Sequence, residues 1–278
     1  MIVLIFGGNR FIGKDVVRVL SEWSECEMIY VFNRTGRGHH KSKKVRCLIG
    51  DRNVSKDLEQ IPWGFIDYVV DMCLYETIQF DKLSKYVKKK NYIFVSSIAS
   101  QLDPVLSGFE EYGRQKLLLE EDVRGTVWKN CIVRPTYVLS SPGVHSHIAR
   151  DQYFLDCLYN DVPIQIDGDG KAEMSFTFAD DVVKTITMMI FHRWNDSMDP
   201  SHREVNLASN PITVIDLIKI FEKHSKKKAE LFFNSPDSPF DNKRVVFSDD
   251  TVHDPTYVTE LDDGVKALVN EYEKNLQI

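Results

Sequence analysis

The first half of the chain alternates short, nearly continuous apolar runs with longer amphipathic stretches. Runs of strand length occupy 2–6, 28–32, 45–49, 68–72, 92–96 and 131–134, and they draw mainly on Val, Ile, Phe and Tyr. Between them, 12–23, 77–88 and 112–123 place their apolar residues at helical spacing, and 55–60 makes a shorter connection. Strands that are apolar at almost every position are buried on both faces, which calls for helices on both sides of a parallel sheet. Regular βα alternation with right-handed crossovers predicts an α/β fold, a doubly wound parallel sheet.

After Pro135 the pattern loosens. Ser140-Ser-Pro-Gly143 and Asp167-Gly-Asp-Gly170 mark turns, and 148–159 reads as a helix. Asp180 is placed to cap a helix running to about residue 191, and Thr213-x-x-Asp216 has the form of a helix start before 217–221. Segments 231–233 and 245–247 read as short strands joined by a Pro-containing link. The predicted organisation is a dinucleotide-binding domain over 1–140, to which 175–208 returns. Residues 141–174 and 209–278 make a smaller mixed α/β substrate-binding region.

Composition narrows the classes. A hydrophobic content of 43% supports a full core, and a net charge of −6 argues against a general nucleic-acid or membrane binder. No apolar run reaches membrane-spanning length, and no secretory leader pattern is visible, so a cytoplasmic protein is expected. Cys26, Cys47, Cys73, Cys131 and Cys157 are odd in number and widely spaced, which fits free thiols better than disulfides or a metal site. The Lys88–Lys90 and Lys226–Lys228 runs sit at apparent helix ends, where they complement the helix dipole.

The first turn carries the strongest chemical signal. The first strand runs into Gly7-Gly-Asn-Arg-Phe-Ile-Gly13, and an amphipathic segment follows. A glycine-rich strand-to-helix turn lets backbone N–H groups approach a pyrophosphate, so Gly7, Asn9, Arg10, Phe11, Ile12 and Gly13 are the candidate contacts. Arg10 is unusual, because it stands where such loops place a middle glycine. A second signal is Tyr112-Gly-Arg-Gln-Lys116: residues four apart share a helix face, and an ammonium beside a phenol favours its ionisation. Ser97 ends a predicted strand and offers a hydroxyl to the same reacting oxygen. Alone, such a Tyr/Lys pair also suits an ordinary solvated helix face.

Taken in order, these motifs resemble an extended short-chain dehydrogenase/reductase of the sugar-nucleotide epimerase/dehydratase/reductase superfamily. Gly7-Gly-Asn-Arg-Phe-Ile-Gly13 resembles that family's GGTGFIG loop, Val95-Ser-Ser97 its VSS motif, and Tyr112 with Lys116 its YxxxK. Arg134-Pro135, the Gly168-Asp-Gly170 and Phe176–Asp181 stretches, and Val205–Thr213 resemble later family motifs, so the likeness spans nearly the whole chain. It implies a Rossmann domain, a nicotinamide cofactor and a catalytic group of Ser97, Tyr112 and Lys116. A homodimer packed through helices, including the one carrying Tyr112, is also implied. Three departures stand out. Arg10 matches an atypical GGxRFIG subgroup that includes RNA-binding relatives. The Ser97–Tyr112 spacing is short. Val69-Val-Asp-Met-Cys-Leu-Tyr75 replaces the family's VxHLAA.

The second strand ends in Asn33-Arg34, where an acidic residue would select a ribose 2′-hydroxyl. A neutral Asn followed by an Arg favours a 2′-phosphate, with Arg10 as a second clamp, so NADP(H) is expected and NAD(H) is the alternative. Asp51 and adjacent Arg52 are placed at the adenosine side, although a strand-end Asp also suits a turn. Arg37, His39, His40, Lys41, Lys43 and Lys44 extend a basic loop, read as a solvated one. Ile98-Ala99 follows Ser97, so the carboxyl a 4,6-dehydratase needs is absent there. The expected reaction is NADPH-dependent reduction of a nucleotide-linked keto-sugar with a 4-keto-6-deoxy group. The alternatives are nucleotide-sugar epimerisation and a non-catalytic nucleotide- or RNA-binding role. Ser97, Thr136, Tyr137 and Arg244 are the substrate-side candidates.

Overall fold

The structure is a computed structural model that describes residues 1–36, 41–102, 110–140, 150–191, 204–236 and 258–277. Its elements begin with β1 (Ile2–Phe6), α1 (Phe11–Glu22), β2 (Met28–Asn33), β3 (Val45–Ile49), α2 (Ser55–Glu59), β4 (Tyr68–Asp71) and α3 (Thr77–Val87). They continue with β5 (Asn91–Val95), α4 (Glu110–Thr126), β6 (Lys129–Pro135), β7 (Tyr137–Leu139), α5 (Arg150–Tyr159), β8 (Ile164–Gln165), β9 (Glu173–Met174) and β10 (Phe176–Phe178). The last are α6 (Ala179–Phe191), β11 (Glu204–Leu207), β12 (Ile212–Thr213), α7 (Val214–Ser225), β13 (Leu231–Phe232) and α8 (Leu261–Leu276).

The chain divides into two compact units. The first comprises Met1–Gln101, Glu111–Arg134 and Val182–Asn206, and the second Leu102–Glu110, Pro135–Asp181 and Leu207–Ile278. In the first, seven strands form one sheet in the order β11-β6-β5-β4-β1-β2-β3, with β1 to β6 parallel. Register is set from the centre: Val3 faces Ile29 on one side and Tyr68 on the other. The order reverses at β1, whose neighbours are β2 and β4, and this is the switch point at which doubly wound sheets open a crevice. Val3, Leu4 and Ile5 have no exposed surface, as strands covered on both faces require. On one face Leu4, Phe6, Val69, Tyr92 and Phe94 pack with Phe80 and Leu83 of α3 and Leu119 and Val123 of α4. The predicted doubly wound α/β sheet is the one observed, with strand ends shifted by up to two residues.

The second unit is mixed. β7 pairs in parallel with β10, β8 in parallel with β13, and β9 antiparallel with β12. Helices α5, α7 and α8 supply its core: the Phe154 and Phe221 rings lie 5.6 Å apart, and Tyr272 donates to Asp156 at 2.6 Å. Thr213 caps α7 as its spacing predicts, accepting from the Asp216 N–H at 3.1 Å. The strand read at 231–233 is β13, whereas helix α8 and the short strands β7, β8, β9, β10 and β12 were not anticipated. The strand expected at 245–247 lies outside the described residues.

All five cysteines are free thiols. Among the described residues no helix is long and apolar enough to cross a membrane, and no group of three or more His, Cys, Asp or Glu is arranged for a metal ion.

Candidate active site

The glycine-rich turn connects β1 to α1 at the switch point of the first unit's sheet. Gly7 adopts φ +88, a region that disfavours side chains, and a Cβ on Gly13 would stand 2.1 Å from the Gly7 carbonyl oxygen. The two glycines therefore let the helix start fold back onto the turn. Arg10 is exposed and precedes α1 in extended backbone. Phe11, the first helical residue, is held at φ +48, a costly conformation for a bulky side chain. The strain falls next to the position where Arg replaces glycine.

At the end of β2, Asn33 accepts from the N–H groups of Thr35 at 3.0 Å and Gly36 at 2.7 Å. Those bonds assign its oxygen and leave its Nδ2 buried without a partner. Arg34, the next residue, is exposed. Asp51 makes a turn, accepting from the Asn53 N–H at 2.8 Å. Arg52 is 8% exposed, and its guanidinium forks onto Asp71 at 2.9 and 2.6 Å. It also donates to the Cys73 carbonyl at 2.9 Å, while its Nε is buried and unpartnered.

Ser97, Tyr112 and Lys116 come together beyond the end of β5. Ser97 caps a short turn, Ile98–Ser100, by accepting from the Ala99 N–H at 3.3 Å. Helix α4 comes so close to that turn that a Cβ on Gly113 would lie 2.4 Å from the Ala99 carbonyl oxygen. The neighbouring Tyr112 thereby reaches Ser97 and shares a hydrogen bond with its side chain. Tyr112 keeps 42% of its surface exposed. Partial burial raises its pKa, and the Ser97 bond opposes that rise. The expected lowering by the neighbouring ammonium does not prevail. Lys116 instead lies with Nζ 5.8 Å from the Tyr112 ring centre and donates to the Leu74 carbonyl at 2.8 Å, so burial dominates. Lys116 itself is 2% exposed, and burial lowers its pKa to about 8, with Asp71 the largest opposing influence.

A second buried hub supports this group. Glu120, one helical turn beyond Lys116, is fully buried and accepts from Ser96 at 2.6 Å and Ser100 at 2.7 Å, the residues flanking the Ser97 turn. Arg134 forks onto Glu120 at 2.9 and 2.7 Å and reaches Asn206 at 3.0 Å. Glu120, Asp71 and Tyr92 were not among the residues expected at the site. The available signals were Glu four residues after Lys116 and an Asp inside an otherwise apolar strand. Thr136 and Tyr137 belong to the second unit; the Thr136 hydroxyl contacts that of Thr177 at 2.8 Å, and Tyr137 is buried beside Phe176. Arg244 lies outside the described residues, as do Arg37, His39 and His40.

No protein-family model matches the chain, and no curated protein matches its sequence. Solved structures do share its fold. UDP-glucose 4-epimerase of Thermotoga maritima, determined with UDP-glucose, superposes with a TM-score of 0.72 at 19% identity, covering 99% of this chain and 100% of that one. dTDP-glucose 4,6-dehydratase of Bacillus anthracis, in complex with NAD, gives 0.76 at 14% identity over 100% and 98% of the two chains. UDP-glucuronic acid 4-epimerase of Bacillus cereus, in complex with NAD, gives 0.71 at 18% identity over 99% of each. The chain shares the fold of these nucleotide-sugar epimerases and this dehydratase over its whole length.

Proposed function

We propose that this chain is a nicotinamide-dependent oxidoreductase of a nucleotide-linked sugar, working as an NADPH-dependent ketoreductase. The observation that carries this reading is the Ser97–Tyr112 hydrogen bond beside Lys116, in the unit that also holds the Gly7–Gly13 turn. Solved proteins of the same fold, determined with UDP-glucose or NAD, support the choice of substrate and cofactor class.

The residues present fit a dinucleotide. Gly7, Asn9, Arg10, Phe11, Ile12 and Gly13 would hold its pyrophosphate at the start of α1, where backbone N–H groups and the helix dipole favour an anion. The orphaned Asn33 Nδ2 is a donor waiting for a ribose or phosphate oxygen, and exposed Arg34 and Arg10 suit a 2′-phosphate. Asp51 would stand at the adenine. Bound there, the reduced nicotinamide of NADPH would supply hydride to the carbon of a ketone and be left oxidised. Tyr112 gives its phenolic proton to the oxygen of that ketone as it gains charge. Its raised pKa keeps the phenol protonated at neutral pH, the state a donor needs. Ser97 hydrogen-bonds the same oxygen, and the Lys116 ammonium stabilises the phenolate left behind.

Epimerisation is the second reading, favoured by the two epimerases among those structures. Dehydration lacks its acid, because buried Ile98 and Ala99 follow Ser97. The test identifies any co-purified dinucleotide by mass, then follows NADPH absorbance with a dTDP-linked 4-keto-6-deoxy sugar. Consumption that is lost in Tyr112→Phe supports reduction. Retained NAD with sugar interconversion and no net absorbance change selects epimerisation. Absence of any dinucleotide binding removes both.

A further inference from the structure

We propose that Arg52 and Asp71 are a positioning pair for Lys116, acting through the loop that follows β4. The inference rests on the dinucleotide-dependent reading of the site. Asp71 ends β4 with no exposed surface, and each of its oxygens is committed. Oδ1 accepts from Arg52 at 2.9 Å and from the Cys73 N–H at 3.2 Å, and Oδ2 accepts from Arg52 at 2.6 Å and from Tyr92 at 2.8 Å. Arg52 returns to the same loop by donating to the Cys73 carbonyl at 2.9 Å. Both backbone polar groups of Cys73 are therefore tied to the pair. The next residue, Leu74, presents the carbonyl that receives the Lys116 ammonium at 2.8 Å.

The same loop touches the glycine-rich turn. A Cβ on Gly7 would lie 3.4 Å from the Cβ of Met72 and 3.6 Å from that of Cys73. One short segment thus sets the distance between the pyrophosphate turn and the lysine under Tyr112. A buried ion pair adds little stability over well-packed apolar residues, because desolvation offsets its attraction. What it adds here is a fixed direction for the loop: a planar fork held by a carboxylate whose other lone pairs are also filled. The groups facing Lys116 are the Asp71 and Glu120 carboxylates, the Arg52 guanidinium, the Cys73 thiol and the Tyr75, Phe94 and Tyr112 rings.

The test follows the Lys116 side-chain ammonium by nitrogen NMR, assigned by its loss in Lys116→Met, together with NADPH affinity from nicotinamide fluorescence. Arg52→Lys keeps a cation opposite Asp71 but lacks the fork. Arg52→Met/Asp71→Leu removes the pair and leaves no unpaired buried charge. In the wild type the ammonium should exchange slowly with water and titrate at about 8. In Arg52→Lys, water reaching a loosened loop should raise that midpoint toward the ordinary lysine value. In the double variant, exchange should accelerate, and NADPH binding should weaken roughly tenfold in both variants. A role confined to stability would lower the melting temperature and leave the midpoint, exchange and affinity unchanged. That result in a folded variant overturns the proposal, and if the double variant does not fold, Arg52→Lys decides alone. A wild type that binds neither NADPH nor NADH overturns the dinucleotide reading, while the lysine midpoint and exchange still decide the positioning role.

Discussion

Lys116 donates to the Leu74 carbonyl at 2.8 Å, so a buried ammonium is met by a neutral acceptor and not by a carboxylate. A carbonyl dipole compensates a lost hydration shell only in part. The net effect is the lowered pKa of about 8, with the Asp71 carboxylate as the largest opposing influence.

The cost of burying this charge is measurable as a pH dependence of stability. Between about 8 and the ordinary lysine value of 10.5, the unfolded chain binds a proton that the folded chain has released, so stability rises with pH across that window. Below about 8 both states are charged, and the folded chain bears the whole penalty, on the order of 3 kcal/mol at 1.36 kcal/mol per pKa unit. Lys116→Met should therefore stabilise the fold at neutral pH by about 1–3 kcal/mol, with the gain fading as pH rises toward 10.5. Urea unfolding of both chains from pH 7 to 10 checks this. A gain that does not shrink with pH contradicts it.

The close approach of α4 to the Ser97 turn gives a second expectation. In Gly113→Ala the new methyl would meet the Ala99 carbonyl oxygen at 2.4 Å, so helix or turn must move. Overpacking of this kind costs about 1–3 kcal/mol. Because the Ser97 bond lowers the Tyr112 pKa, its loss should raise that pKa further. Phenolate absorbance, taken as the difference from Tyr112→Phe in the same background, reads the shift. An unchanged titration would mean that Ser97 and Tyr112 move together.

How much of this was legible depends on the kind of signal. The central strands β1, β4 and β5 were readable because burial on both faces makes each a nearly continuous apolar run, whereas edge strand β3, interrupted by exposed Arg46, was readable from its alternation with helices. Tyr112 and Lys116 were readable as a pair because helical spacing fixes their relation, whereas Ser97, fifteen positions earlier, joined them through the family resemblance. Arg52 and Asp71 lie nineteen positions apart on different elements, so nothing local announces their pairing. Helix α8 begins at Leu261 after Glu260, which gives no side-chain cap, and carries Asp262, Asp263 and Gly264 in its first turn. Asp and Gly favour turns over helices. Packing overrides them: Gly264 makes room for the Phe178 ring, which a Cβ would meet at 2.1 Å.

The Glu120 hub should reveal itself through asymmetric mutations. Arg134→Met leaves a fully buried carboxylate without its fork and should cost about 3–5 kcal/mol, whereas Arg134→Met/Glu120→Leu should cost much less. Glu204 bonds Arg124 and Arg134, which hold its pKa at about 2 against the opposing effect of burial. A depressed carboxylate contributes stability that is present above its ordinary value of 4.5 and is lost as pH falls through about 2. Acid unfolding of Glu204→Gln should therefore show a shallower loss of stability across that window. Parallel curves for wild type and variant would remove Glu204 from the hub's energetics.

Cofactor choice gives the sharpest test of the turn at which Arg10 replaces glycine. Arg10 and Arg34 are both exposed, at the start of α1 and just beyond β2, and Asn33, next to Arg34, offers an unpartnered Nδ2. A hydrogen bond to a charged group contributes about 1.5–3 kcal/mol, so removing one 2′-phosphate contact should weaken NADPH by roughly tenfold or more. Arg34→Ala and Arg10→Gly should each do so while leaving NADH nearly unchanged, and added salt should shrink the difference. Asn33→Asp goes further, because it puts a carboxylate where a 2′-phosphate would sit and should invert the preference toward NADH. Paired titrations with NADPH and NADH read all three variants. If NADPH and NADH lose affinity equally in Arg10→Gly, Arg10 shapes the turn through its backbone, next to the strained Phe11, and takes no part in recognising the 2′-phosphate.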